Sequence, residues 1–295
     1  MNANSGIFPS GITPTSGQEP MKRACRVVPD MLQSSDSDRN YLQMQAYLYL
    51  HLILRTVKPN PQAEASKKEQ VEHMFDAISG RYDLLNRMLS FGIDISWRKK
   101  VKKAIADAGA RSVLDVATGT ADMAIELAAL PQVNHITGVD ISAGMLSFGQ
   151  QKIDRKTLNQ KIKLQQADSE QLPFPDASFD ACTVCFGVRN FEHLSRGIAE
   201  MGRVLRPGGT LLVLEFSRPR NPVFKALYWF YFGKILPALG RLISGSNNAY
   251  RYLPESVKVF PDGKDFLRIM EEAGIRNAAA RPLTFGICTL YSGTR

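Results

Sequence analysis

From Arg111 onward, short runs of apolar residues alternate with stretches in which apolar positions recur every three or four residues. The short runs predict strands at Arg111–Ala117, His135–Asp140, Ile162–Ala167, Phe179–Phe186 and Thr210–Glu215, because a strand buried on both faces needs no polar alternation. The helical spacing predicts helices at Asp122–Leu130, Ala143–Lys152, Leu194–Leu205 and Lys264–Ala273. Two further strands, Arg276–Pro282 and Ile287–Ser292, are separated only by a turn at Leu283–Gly286, so one of them is expected to run against the rest. The expected fold is α/β: a mostly parallel, seven-stranded sheet with helices on both faces and an antiparallel last strand.

The chain ahead of that pattern reads differently. Residues 1–66 show little periodicity, are rich in Ser, Pro and Asn, and end near the linker-like Lys58-Pro59-Asn60-Pro61. Ser66 followed by Glu69 has capping-box spacing, which marks the start of a folded domain spanning 67–295. Residues 1–66 are expected to be a disordered or non-native extension, with the natural start near residue 66. Limited proteolysis that left a stable product containing residues 1–60 would contradict this. Tyr41–Leu54 is apolar but too short to span a bilayer and too deep in the chain for a secretory signal; the Gly/Ser/Thr/Pro-rich start has no apolar core.

Charge changes the picture at the other end. The formal net charge of +9 is uneven: residues 71–217 are balanced, whereas 218–295 hold 12 basic and 5 acidic side chains. A locally basic surface suits lipid head groups, nucleic acid or a phosphorylated substrate, although a merely solvated face would read the same way. Four cysteines in a chain of 295 residues make no disulfide framework and point to a reducing, cytoplasmic setting. Cys182 and Cys185 have C-x-x-C spacing, but inside a predicted strand they face opposite sides and cannot hold one metal ion. No second Cys or His pair lies nearby, so no metal is expected.

The candidate chemistry gathers at the carboxyl ends of the predicted strands, where open parallel sheets bind ligands. The first strand runs into Asp115-Val116-Ala117-Thr118-Gly119-Thr120, which is neither G-x-G-x-x-G nor a P-loop. Its small residues still let a ligand approach the backbone, and Asp115 is placed to accept from an amine. Asp140 ends the second strand about 20 residues further on, a position that suits two ribose hydroxyls. Asp168 and Ser169 end the third and suit an adenine amino group. The ligand that these groups fit has an amino-acid end, a ribose and an adenine, with no phosphate.

The order D-x-A-T-G-T, V-D, A-D-S resembles class I S-adenosylmethionine methyltransferases. Tyr82-Asp83-Leu84-Leu85-Asn86-Arg87-Met88-Leu89-Ser90, with Trp97 beyond it, and Arg203–Ser217 are similar to the two signatures of the ubiquinone/menaquinone biosynthesis C-methyltransferase family. The similarity runs from about Gln70 to the C-terminus. The resemblance implies a Rossmann-like class I methyltransferase fold, S-adenosyl-L-methionine as cosubstrate, and cofactor contacts at Thr120, Asp140, Asp168 and Ser169. It also implies methyl transfer to a ring carbon of demethylmenaquinol, giving menaquinol, with 2-methoxy-6-polyprenyl-1,4-benzoquinol of ubiquinone synthesis as the alternative acceptor. Two positions depart from the family pattern: Asp94 stands where His is usual, which leans the reading towards menaquinone, and Cys185 stands where Ser is common.

On the substrate side, Phe186-Gly187-Val188-Arg189-Asn190 follows the fourth predicted strand, and the resemblance assigns Arg189 and Asn190 to the substrate. A guanidinium does not give up its proton in proteins, so stabilising a quinol phenolate suits Arg189 better than acting as a base; a plain structural salt bridge is the competing role. The proton would leave through water, Tyr82 or His193. The segment 222–243 is densely aromatic, is interrupted by Gly233 and Pro237, and carries Lys225, Lys234 and Arg241. It is expected to lie on a membrane rather than cross it, at the inner face, and with 243–256 to form a substrate lid over the prenylated ring, although ordinary core helices between the fifth strand and the last helix would read the same way. Tyr250–Ser256 resembles a family stretch near the substrate. A homodimer is left open. A nucleic-acid methyltransferase would be expected to show a base-flipping motif or an added RNA-binding module, and neither is visible. Asp140 and Asp168 argue against a non-enzymatic binding protein.

Overall fold

Ser66 caps the helix α1 (Lys67–Ile78): the Glu69 amide donates to its hydroxyl, and the Ser66 amide donates to Glu69 Oε2 at 2.8 Å. This is the capping box that the spacing predicts. The computed structural model describes residues 57–235 and 248–295. Of the expected extension, residues 1–56 lie outside the described residues; within 57–66, the Asn60 amide donates to Gln70 Oε1 of α1. Two more helices, α2 (Tyr82–Leu89) and α3 (Ile93–Asp107), precede the sheet.

The strands are β1 (Ser112–Val116), β2 (His135–Asp140), β3 (Ile162–Gln166), β4 (Phe179–Cys185), β5 (Leu205–Phe216), β6 (Arg276–Leu283) and β7 (Cys288–Thr294). They form one seven-stranded sheet in the order β3-β2-β1-β4-β5-β7-β6. The first five pair in parallel, and β7 is antiparallel to both β5 and β6. Strand order reverses between β1 and β4, which opens a crevice at their carboxyl ends. The helices α4 (Asp122–Ala128), α5 (Ala143–Arg155) and α6 (Leu194–Val204) make crossovers, and α7 (Pro222–Phe230), α8 (Asn248–Val259) and α9 (Lys264–Glu272) lie between β5 and β6.

Both faces of the sheet are covered. Val113 packs with Trp97, Val101 and Ile105 of α3, while its neighbour Leu114 packs in the opposite cluster with Ile198 and Met201 of α6 and Phe266 of α9. That is why the strands read as apolar runs without alternation. Cys182 belongs to the second cluster and Cys185 packs against the first, so the C-x-x-C pair is split across the sheet as expected.

The helices α2 and α3 have no predicted counterpart, and β5 and α8 also differ from expectation. β5 starts at Leu205 rather than Thr210, because Leu205 pairs with Phe179 before an irregularity that absorbs Pro207-Gly208-Gly209. Gly208 there adopts a φ of 78°. The helix α8 contains Pro254 and was not foreseen, since an internal proline argues against helix. Gly233 lies within a π-helical turn, Tyr231–Ile235, that follows α7, and Pro237 lies outside the described residues. The remainder of the expected membrane segment, 236–243, lies outside the described residues.

Candidate active site

The turn after β1 is tightly wound. Ala117, Gly119 and Ala121 all have positive φ, and the Gly119 amide donates to Asp140 Oδ2 at 2.8 Å across the crevice. Asp140 Oδ1 accepts from the Ser142 amide at 2.9 Å. Two backbone donors thus fix this carboxylate at the end of β2, where burial nonetheless pushes its pKa above the ordinary value. Beyond the end of β3, Asp168 accepts from the Glu170 amide at 2.9 Å and from Lys68 Nζ of α1 at 2.7 Å. Its partial burial opposes ionisation, but the Lys68 and Glu170 hydrogen bonds outweigh this and hold the carboxyl below its usual range.

These groups line one cleft. Gly119, Asp140, Asp168 and Ser169 share it with Val116, Val139, Ile141 and Met145, and its far wall carries Cys185, Gly187 and Asn190. Asn190 Oδ1 is buried there without a hydrogen-bond partner among the described residues. A Cβ on Gly187 would come within 2.5 Å of Ala117 Cβ, so only glycine lets this wall approach the β1 turn. Acceptor oxygens set among apolar walls fit a ligand with an amine and hydroxyls on a flat apolar ring. The cleft therefore suits the cosubstrate that the sequence implies.

Of the residues expected here, Asp140, Asp168 and Ser169 are brought together and two others are not. Asp115 is buried inside the sheet, where it accepts from Thr118 Oγ1 at 2.6 Å and Thr183 Oγ1 at 2.7 Å, and burial pushes its pKa up to about 6. Both oxygens are engaged by the protein, which corrects the expectation that it meets a ligand amine. Thr120 is buried behind the turn, with its hydroxyl donating to Asp83 and accepting from Lys152 Nζ.

A second space adjoins the first. It is an apolar cavity of about 410 Å³, walled by aromatic and aliphatic side chains of α1, α3 and α7, including Phe75, Trp97, Leu227 and Tyr228. Phe75, Tyr82 and Phe186 line both spaces. At the join, the 3₁₀ turn Val188–Asn190 presents Arg189 to the cavity and Asn190 to the cleft. Arg189 Nη1 donates to Glu215 Oε1 at 2.8 Å and to the Phe186 carbonyl, and its guanidinium lies 5.5 Å from the Phe216 ring centroid. Glu215 is fully buried, and burial raises its pKa although Arg189 pulls it down. Arg189 Nε has no partner among the described residues.

Tyr82 is largely enclosed, which raises its phenol pKa, while His193 stands outside both spaces with an exposed ring bonded to Glu170 at 2.8 Å. Asp94 lines the cavity, but it is bound to Ser90 Oγ at 2.6 Å and to Arg98. Sequence reasoning missed Lys67, whose buried Nζ donates to the carbonyls of Arg189 at 2.9 Å and Phe191 at 2.7 Å and so braces the turn between the two spaces. Nothing in Lys67-Lys68-Glu69-Gln70 signals that. Glu215 did carry a signal: it is the lone acid in the apolar run 211–216. Among the described residues, no group of His, Cys, Asp and Glu is arranged to hold a metal ion.

Residues 63–295 match the model of the ubiE/COQ5 methyltransferase family. The chain is 48% identical over 230 residues to a ubiquinone/menaquinone biosynthesis C-methyltransferase of Geotalea daltonii, covering 78% of this chain and 97% of that protein. It is 43% identical over 232 residues to a demethylmenaquinone methyltransferase of Bacteroides fragilis, covering 79% and 95%. Among solved structures, an O-methyltransferase family protein from Burkholderia thailandensis superposes with a TM-score of 0.56 at 19% identity, over 88% of this chain and 70% of that one. A SAM-dependent methyltransferase from Thermotoga maritima gives 0.54 at 18%, over 75% and 98%. These two likenesses speak for the fold alone.

Proposed function

The chain belongs to the ubiE/COQ5 methyltransferase family, and from that premise we propose that it transfers a methyl group from S-adenosylmethionine to a ring carbon of demethylmenaquinol, giving menaquinol. The observation that carries this is the apolar cavity joined to the carboxylate cleft, with Arg189 and Asn190 on one turn facing the two spaces. The sulfonium of the bound cosubstrate supplies the electrophilic methyl. Asp140 accepts from the ribose hydroxyls, and Asp168 and Ser169 receive the adenine edge, with Lys68 holding Asp168 in place. Thr120 supports the turn from behind. Asn190 Oδ1, unpartnered and buried, faces the same ligand.

In the cavity, the guanidinium of Arg189 stabilises the phenolate of the acceptor; as its ring carbon bonds the methyl, the sulfur–methyl bond breaks to leave S-adenosylhomocysteine, and the ring proton then departs to solvent. Because Glu215 already neutralises much of its charge, Arg189 can stay buried before the substrate arrives. Tyr82, bordering both spaces, shapes the passage through which the methyl moves. Positioning, rather than covalent help, provides the rate enhancement. The test is labelled methyl transfer to demethylmenaquinol and to 2-methoxy-6-polyprenyl-1,4-benzoquinol side by side. Faster transfer to the naphthoquinol is expected, and transfer confined to the benzoquinol would overturn the choice of acceptor.

A prenylated acceptor resides in lipid, and the rim of the cavity fits a peripheral membrane contact at the cytoplasmic face. Leu227 and Phe230 of α7 and Phe91 line the cavity yet are well exposed, and Val223 and Phe285 are exposed as well. Lys225 and Lys234 stand exposed in the same stretch, placed for anionic head groups. No helix among the described residues is long and apolar enough to cross a membrane. Co-sedimentation with vesicles containing anionic lipid should fall by roughly tenfold or more in a Leu227→Glu/Phe230→Glu variant, given the cost of placing charge in an apolar interface. Equal binding would remove this contact.

A further inference from the structure

Three polar atoms on the cavity wall are left without a partner. The hydroxyls of Tyr228 on α7 and Tyr252 on α8, and Nε of Arg189, are buried without a hydrogen-bond partner among the described residues. All three side chains line the cavity, and each tyrosine is only 3% exposed. Buried polar atoms in native structures are almost always paired, so three orphans on one empty space mark where a ligand's own polar atoms belong. Arg189 and Glu215 are also near enough to act electrostatically on both phenols.

We propose that the hydroxyls of Tyr228 and Tyr252 hold the ring oxygens of the acceptor beside Arg189, making the cavity selective for an oxygen-bearing aromatic ring. This rests on the acceptor being a quinol. Both phenols are pushed well above their usual pKa, chiefly by burial, so they keep their protons and serve as donors rather than bases. A donor gains strength as its acceptor oxygen gains negative charge, so the same two hydroxyls hold the phenolate more tightly than the neutral quinol. Because α7 and α8 belong to the insertion between β5 and β6, the lid supplies recognition as well as cover.

The experiment compares the full chain with Tyr228→Phe, Tyr252→Phe and the double variant under anaerobic, reducing conditions. Quenching of the tryptophan fluorescence, with Trp97 in the cavity wall, reports binding of a short-prenyl 1,4-naphthalenediol and of the matching naphthalene that lacks both oxygens. The unaltered chain should prefer the diol by about a hundredfold, each single variant should narrow that preference by about tenfold, and the double variant should nearly abolish it. Since neither hydroxyl bonds to a described protein group, the variants should melt at the same temperature as the parent or higher. Turnover should show kcat/KM for the quinol falling in step with the lost preference. An undiminished preference, or a clear drop in melting temperature with binding intact, would overturn the proposal by making the hydroxyls structural. A parent that selects the diol through these tyrosines yet methylates no quinol leaves this inference standing and removes the reaction assigned above. Methylation with unchanged kcat/KM in both single variants removes this inference alone.

Discussion

The cleft and the cavity meet at Tyr82 but are built on opposite principles. In the cleft, Asn190 Oδ1 lacks a partner among the described residues, but the carboxylates are already satisfied: Asp140 by two backbone amides, and Asp168 by an amide and Lys68. They sit at the ends of parallel strands, and their geometry is set before any ligand arrives. In the cavity, the walls are mostly apolar; Ser90, Asp94 and Arg98 pair among themselves, but Arg189 Nε and two tyrosine hydroxyls are unpartnered among the described residues. The first arrangement offers spare lone pairs on anchored acceptors. The second makes incomplete pairing part of the recognition, so that a ligand without oxygens leaves a cost unrelieved. On the proposed function, the cleft would bind a polar cosubstrate through anchored acceptors, and the cavity an oxygen-bearing ring through unpaired donors.

The sharpest way to break that contrast is at Arg189, the charge on the turn that joins the cavity to the cleft. Arg189→Met should lower methyl transfer by about a thousandfold, as losing a charge-stabilising donor does in water-excluded sites. It should also destabilise the fold by about 3–5 kcal/mol, because Glu215 is left fully buried without its partner. Adding Glu215→Gln should return most of that stability in chemical denaturation and none of the activity. A double variant that regained turnover would reduce Arg189 to the salt bridge that competes with its functional role.

On the cleft side, Asp140→Ala removes the acceptor for the Gly119 and Ser142 amides as well as the proposed contact to the ribose. Calorimetric titration should show S-adenosylmethionine binding weaker by about a hundredfold, while the diol still enters the cavity with parental affinity. Equal loss of both ligands would mean that the two spaces are one site and would end the contrast drawn here.

The same division explains what could be read from sequence. Carboxylates at strand ends follow from topology: once the apolar runs define strands, Asp140, Asp168 and Ser169 fall at the crevice by position alone. The error at Asp115 has the same origin. It sits one step inside β1, where Thr183 of the neighbouring strand reaches it, and that register is invisible in one dimension. The cavity was legible only as an aromatic, basic segment. Which of its rings turn inward depends on how α7 and α8 pack, and Pro254 concealed that the second of these is a helix at all. Arg189 could be singled out by its place after β4, but its partner Glu215 is joined to it only by the pairing of β4 with β5.

Lys67 belongs to neither space and tests the join between them. Its Nζ is buried and bonded to the carbonyls of Arg189 and Phe191, and burial lowers its pKa from the ordinary lysine value to about 8, against the pull of Glu170 and Glu192. Between about pH 8 and the usual lysine range, the unfolded chain therefore holds a proton that the folded chain has released. More protons on the unfolded side means that stability rises with pH across that window, and the full cost of burying the ammonium is felt below it. Relative to Lys67→Met, the parent should gain about 1 kcal/mol in urea unfolding by pH 9. The Met variant lacks the titrating group and cancels the contributions of other residues. A flat difference between the two proteins would show that this lysine reaches solvent, and the turn carrying Arg189 and Asn190 would then need another brace.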